Sequence, residues 1–349
     1  MAPFAGYEMP ISYPDGAVEE HLVCRRSVGL FDIDHMGQVE ISGPGADEFL
    51  SGLVSSRVID MREGEARYAL LLNEGGGVID DLFVYRLASG WWVVVNASNR
   101  ETDLAWMRSR APGGVRVDDR SDDTYMIAVQ GPKAVALLDS LSGGAVSRLE
   151  RFTSSRAAVG GVEALVGRTG YTGEDGAELF FPTAQAPKLW ELLLSESSRL
   201  GIEAAPVGLA ARDSLRFEAG MPLHGHEIGP SINPIEALFK WACDFEKDFV
   251  GKEALLAVAA AGPSRRLACL DVTGGGVPRE GCAVLGPEGE AVGECVAGMY
   301  CPTVKKYAAN AFVRPDLAKA GTALAVSIRD KPRAATVVKR PLYIPAYRR

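Results

Sequence analysis

The stretch from Tyr68 to Asn96 limits the possible folds more than any other part of the chain. It holds an apolar run, Tyr68 to Asn73, a turn, Glu74-Gly75-Gly76-Gly77, and two further apolar runs, Val78 to Tyr85 and Trp91 to Asn96. Short runs rich in β-branched and aromatic residues, separated by glycine turns, read as antiparallel strands. Ser98-Asn99-Arg100-Glu101 then has capping-box spacing, so a helix carrying Leu104, Trp106 and Met107 is expected to follow. Meandering strands that give way to a helix read as α+β.

The same grammar recurs. Val39-Glu-Ile-Ser-Gly-Pro44-Gly-Ala-Asp-Glu-Phe-Leu50 echoes Ile127-Ala-Val-Gln-Gly-Pro132-Lys-Ala-Val-Ala-Leu-Leu138. Each reads as a strand, a Gly-Pro turn and a helix with proline near its first position, which suggests two pseudo-symmetric α+β layers. Helices are expected over Pro187 to Leu200 and Gly208 to Ala219. From Arg266 the pattern changes to short strands between Gly- and Pro-bearing turns, the signature of a small all-β barrel or sandwich. The expected joint before it is Ala257 to Pro263.

The chain has 349 residues, 47% hydrophobic and 23% charged, enough for two or three globular domains. No stretch approaches the ~18 apolar residues of a membrane span. No signal peptide is visible, so a cytosolic protein without a membrane partner is expected. The six cysteines form no C-x-x-C pair and read as free thiols packed as small apolar residues. The net charge of −8 argues against a nucleic-acid partner. That charge is segregated: residues 301–349 carry +9, leaving −17 for the first 300. The basic segment reads either as a solvated face or as a docking patch for an acidic partner.

Several residues could carry chemistry. Asp80 and Asp81 are strand neighbours and must point to opposite faces. Both faces are otherwise apolar, so at least one carboxylate sits among greasy side chains, either holding a ligand or capping nearby amides. Glu178 stands at the entry of a strand after Gly170-Tyr171-Thr172-Gly173-Glu174, where a carboxylate could accept a pair of N–H donors. Arg212 and Arg216 lie four apart on one helix, as an ion-pair ladder or an anion-binding face. His224-Gly225-His226 lacks the further ligands a metal needs, and no metal is expected.

These segments together resemble the glycine-cleavage T-protein family of folate-dependent aminomethyltransferases. The matching runs are Phe4 to Pro10, Gly29 to Asp32 with His35-Met36, Asn73 through Asp80-Asp81-Leu82, Val95-Asn96-Ala97, Gly170 to Glu174, Gly208 to Gly220, Phe249 to Leu255, and Pro302 to Lys306. They occur in the family's order and cover nearly the whole chain.

The resemblance implies a three-domain ring, or cloverleaf, with tetrahydrofolate as co-substrate in a central hole. Two pseudo-related α+β domains would comprise residues 1–50 with 131–225, for folate, and 51–130 with 226–257, bearing the aspartate pair. Residues 262–349 would form the C-terminal β-barrel-like domain. It implies a catalytic acid at Asp80 or Asp81, with Asp80 the better candidate. Glu178 would grip the pterin edge, with Arg212 and Tyr347 as further folate contacts. Tyr68, Tyr171, Asn96 and Met36 would line the pocket. The implied reaction moves the methylene of an aminomethyl-dihydrolipoyl carrier, the H-protein, to tetrahydrofolate and releases ammonia; the carrier could dock on the basic C-terminal segment.

Two positions depart from the family, which usually has Ser at Asp34 and often Tyr at His224. They keep open a folate-dependent O- or S-demethylase on the same scaffold. A non-catalytic folate-binding iron–sulfur assembly factor is a weaker alternative, because the K-G-C-Y-x-G-Q-E motif of such proteins is replaced by Lys247-Asp-Phe-Val-Gly-Lys-Glu253.

Overall fold

The computed structural model describes residues 1–348. A short ribbon, β1 (Ala2–Phe4) and β2 (Tyr7–Met9), precedes α1 (Ala17–Arg26) and β3 (Val28–Asp32). Then come β4 (Gly37–Ser42), α2 (Ala46–Leu53), β5 (Ala66–Leu72), β6 (Val78–Leu87), β7 (Gly90–Val95), α3 (Arg100–Arg110) and β8 (Arg116–Asp119). The chain continues through β9 (Thr124–Gln130), α4 (Ala134–Ser142), β10 (Ser154–Val159), β11 (Val162–Gly167), β12 (Gly176–Pro182), α5 (Ala186–Arg199), β13 (Ala204–Pro206) and α6 (Leu209–Glu218). Helix α7 (Lys252–Ala261) leads to β14 (Arg266–Val272), β15 (Ala283–Leu285), β16 (Ala291–Cys301), β17 (Lys306–Val313), β18 (Ala323–Ile328) and β19 (Lys331–Val338).

These elements make three units, as expected. One sheet has the order β10-β11-β12-β9-β3-β13, a second the order β5-β6-β7-β4-β8, and β14 to β19 close into a six-stranded barrel. The internal echo is real: strand, helix, three-strand meander and helix occur twice, as β4-α2-β5-β6-β7-α3 and β9-α4-β10-β11-β12-α5.

Strand pairing redraws the expected boundaries. β4 pairs with β7 and β8, so residues 37–53 belong with the second sheet; β9 pairs with β3 and β12, so 124–130 belong with the first. Helix α7 occupies Ala257 to Ala261, and the joint to the barrel begins only at Gly262. Pro44 and Pro132 lie before their helices, whose N-caps are Gly45 and Lys133. The proposed capping box does not form: α3 has Asn99 as N-cap with no side-chain cap bond.

Hydrophobic contact closes the three units on one another. Phe31, Val94, Met126 and Phe180 join the two sheets. Leu70, Phe239, Leu267 and Phe312 join the second unit to the barrel. Phe217 of α6 meets Ala297 and Cys301 of β16, joining the first unit to the barrel. Three units with three pairwise apolar seams form a ring. Among the described residues, no helix is long and apolar enough to cross a membrane.

The strand-to-helix turns explain one repeated residue. Gly131 has φ +135°, and a Cβ there would lie 2.2 Å from the Ser27 carbonyl oxygen; Gly43 has φ +99°, and its Cβ would lie 2.2 Å from the Gly114 carbonyl. Both turns need a left-handed backbone pressed against a neighbouring main chain. Gly131→Ala is expected to lower unfolding stability by at least about 2 kcal/mol in urea titrations. Gly113→Ala, where a Cβ meets nothing within 4 Å, should stay within about 0.5 kcal/mol of the parent.

Candidate active site

Where the two sheets face each other they leave a cavity of about 1150 Å³. Strand β6 supplies its acid. Alternation along β6 sends Asp80, Leu82 and Val84 into the core of the second unit and turns Asp81 and Phe83 toward the cavity. Asp81 lines the cavity, whereas Asp80, the candidate the resemblance favours, has no exposed surface and does not line it.

Asn96, at the end of β7, ties the two together. Its backbone N–H donates to Asp80 Oδ2 at 2.8 Å, and its Nδ2 donates to Asp80 Oδ1 and to Asp81 Oδ1, each at 2.8 Å. Asn99 Nδ2 adds a third donor to Asp80 at 2.6 Å. Tyr68 Oη donates to Asp81 Oδ2 at 3.1 Å. Burial, and next the charge of Asp80, push the Asp81 carboxyl up to about 7; the bonds from Tyr68 and Asn96 pull the other way.

Glu178 and Arg212 line the same cavity. Glu178, on β12, accepts from Tyr85 Oη at 3.1 Å and from Thr169 Oγ1, both through Oε2, which leaves Oε1 to the cavity. Burial raises its carboxyl above the ordinary range, while those hydroxyls and the positive field of Arg212 oppose the shift. Arg212, on α6, forms no ion pair among the described residues; its guanidinium lies 4.9 Å from the Tyr171 ring centroid, and burial lowers its proton affinity. Arg216, four residues on, does the opposite job. It is buried in ion pairs with Glu227 and Asp213. The two arginines are neither a surface ladder nor a joint anion face.

Tyr68, Tyr171, Asn96 and Met36 all line the cavity. Tyr347 does not: its hydroxyl donates to the Gly173 carbonyl at 2.8 Å and its ring packs under Arg151, while its neighbour Arg348 reaches the lining. Asp34 and His224 are also outside it. Burial and Asp32 push the Asp34 carboxyl up to about 6, and His224 Nε2 sits 3.3 Å from the Val78 carbonyl. The doubt these two departures cast on the donor therefore has no footing in the cavity wall. His226 lies near Glu280 and shares no ligand cluster with His224.

The basic segment is partly neutralised. Lys306 pairs with Asp271, Arg314 with Asp316, and Arg340 is turned inward to donate to the Gly220 carbonyl. Sequence reasoning missed Trp241, 69% exposed and stacked on Tyr68 with ring centroids 5.5 Å apart, and Phe152, half exposed against Phe83. Trp241 sits in a single short turn, 240–242, whose sequence does not tell an exposed aromatic from a buried one. Phe152 sits in a loop at φ +61° and gave no signal.

Comparison with known proteins agrees with this architecture. The GCVT N-terminal domain model matches residues 1–247, and the glycine cleavage T-protein C-terminal barrel model matches residues 265–343. The aminomethyltransferase of Herpetosiphon aurantiacus is 41% identical, over 100% of this chain and 96% of its own. That of Desulforamulus reducens is 40% identical, over 98% and 94%. The crystal structure of glycine cleavage system aminomethyltransferase T from Bartonella henselae superimposes with a TM-score of 0.92 at 36% identity, covering 100% of this chain and 95% of that one. The chain belongs to the glycine-cleavage T-protein family of aminomethyltransferases.

Proposed function

We infer that this enzyme transfers the methylene of an aminomethyl-dihydrolipoyl carrier protein to tetrahydrofolate, with release of ammonia. The observation that carries the reading is the meeting, in one cavity, of the Asp81 carboxylate with Glu178 and the unpaired Arg212. A demethylase or an assembly factor gains no support from any residue in the wall.

The residues suit a folate. Glu178 Oε1 can accept the paired N–H groups of an amino-pyrimidinone edge, and its buried setting strengthens such bonds. Arg212 offers a guanidinium to a carbonyl or carboxylate of the same ligand. Trp241 and Phe152 supply flat apolar surface at the rim. Bound there, the folate would supply the secondary amine that accepts the carbon unit.

Asp81 answers the charge requirement of the transfer. A carboxylate in a dry cavity stabilises a cation developing beside it and can take up or return a proton. Tyr68 and Asn96 hold each of its oxygens, so its direction is set before substrate arrives. The six cysteines, all unpaired, support a reducing, cytosolic setting. Barrel lysines that form no ion pair among the described residues, Lys305 among them, support an acidic carrier as docking partner.

Five outcomes are expected. Asp81→Asn should cut turnover by at least about 100-fold in an ammonia-release assay. Because the carboxylate form is the active one, kcat/KM of the parent should fall as pH drops through about 7. The stability sign is opposite: a carboxyl raised from 3.8 to about 7 favours the folded state when protonated, and that contribution is lost as pH rises through this window. Asp81→Asn should therefore melt higher than the parent at pH 8. Glu178→Gln should weaken tetrahydrofolate binding about tenfold or more by calorimetry, with a smaller change in kcat. Lys305→Glu should raise KM for the carrier, more at low salt than at high; a salt-independent KM removes the docking idea.

A further inference from the structure

Directly behind the active-site pair lies a third carboxyl that the reaction does not use. Asp103, on α3, is fully buried. Neither of its oxygens receives a hydrogen bond from any N–H or O–H among the described residues. Among the described residues, no Lys, Arg or His forms an ion pair with Asp80, Asp81 or Asp103. A charged carboxylate stripped of water, donors and counter-ions is among the costliest groups a protein can hold. A neutral carboxylic acid at the same place is tolerable, because it has a proton to donate.

The acceptor for that proton is close by. Asn99, the N-cap of α3 and four residues before Asp103, donates to Asp80 Oδ1 at 2.6 Å, which sets Asp80 against the helix face that carries Asp103. Asp80 in turn takes three N–H donors from Asn96 and Asn99, an arrangement that suits a carboxylate. We propose that Asp103 is a positioning residue: a permanently protonated acid that donates to Asp80 and, through the Asn96 amide shared by Asp80 and Asp81, fixes the direction and proton affinity of Asp81. In this proposal the Asp103 hydroxyl donates to Asp80, and the observed bonds of Asn96 Nδ2 to Asp80 Oδ1 and Asp81 Oδ1 carry the effect on to Asp81.

Burial and the Asp80 charge push the Asp103 carboxyl up to about 11, in keeping with this arrangement. The titratable groups facing the cluster are Tyr68 from β5, Asp80 and Asp81 from β6, and Tyr171 from the loop after β11. Arg100, at the start of α3, turns away to Asp119 and Asp122. The protonation state of Asp103 therefore decides whether Asp81 titrates beside one negative charge or two. The inference deepens the reading of Asp81 as the active-site carboxylate and rests on it for its kinetic arm only.

The test has two arms. In the first, the unliganded protein is labelled at the aspartate carboxyl carbons and its NMR titration is followed from pH 5 to 9, with assignments from single Asp→Asn variants. The Asp103 carboxyl is expected to show the shift of a protonated acid throughout, and Asp103→Asn to leave the Asp81 midpoint within about 0.3 unit of the parent, because one neutral group replaces another. A carboxylate shift for Asp103 at pH 7, or an Asp81 midpoint that falls by about a unit in Asp103→Asn, overturns the proposal. The second arm compares turnover. Asp103→Leu removes the donor and should lower kcat about tenfold or more with KM for tetrahydrofolate unchanged, whereas Asp103→Asn, whose amide N–H can donate to Asp80, should restore most of the loss. Equal kcat in both variants, whether high or low, overturns the positioning role. Retained activity in Asp81→Asn would reject the catalytic reading while leaving the first arm intact.

Discussion

The Asn96 side-chain amide is the bond on which the active site depends. One nitrogen holds two adjacent carboxylates that alternation along β6 would otherwise send to opposite sides of the sheet without coordination. The core-facing Asp80 has no exposed surface, yet it anchors the amide that also holds the cavity-lining Asp81. Apolar packing alone could not provide this. A carboxylate held at both oxygens by neutral donors keeps its direction without having its charge cancelled, which is what an electrostatic catalyst needs.

The cavity walls come from different units, so their relative placement matters as much as any rotamer. Three apolar seams set it, and buried polar networks refine it. Arg216 and Asn310 converge on Glu227, tying α6 to the barrel strand β17. His21, Arg25 and the backbone of Thr303 converge on Glu218 at the junction of the first unit with the barrel. Buried ion pairs of this kind contribute little net stability against an apolar replacement, but they admit few alternative geometries. Among the described residues Arg212 escapes such pairing while Arg216 is consumed by it, and that difference separates a cavity-facing cation from a structural one on a single helix.

Much of this was legible in the chain. Periodicity and glycine turns located β5, β6, β7, α5, α6 and most of the barrel strands, because those signals are local. Met36, Tyr68, Asn96, Tyr171, Glu178 and Arg212 were found through motif order, and all line the cavity. Tyr347 is the exception in placement: its hydroxyl turns to the Gly173 carbonyl and it does not line the cavity. Alternation said that Asp80 and Asp81 part company, but not which of two apolar faces is a core and which a cavity. The unit boundaries failed for a related reason. Whether β4 and β9 belong with their sequence neighbours or with distant strands is decided by pairing across 46 to 58 residues, of which a local pattern carries no trace. Asn99 read as part of a helix cap; its side chain instead turns inward to Asp80, a choice only the burial of that acid explains.

The interleaving of the two sheets has a consequence for biogenesis. β3 is made early, but its parallel neighbour β13 emerges only after the entire second sheet and the rest of the first. During translation the second sheet can assemble between two halves of an unfinished one, whose exposed β3 edge must wait for residues 204–206. Such long-range closure is slow, and an open edge invites pairing with another nascent chain. Until residues 204–206 leave the ribosome, the β3 edge therefore stands open on that side.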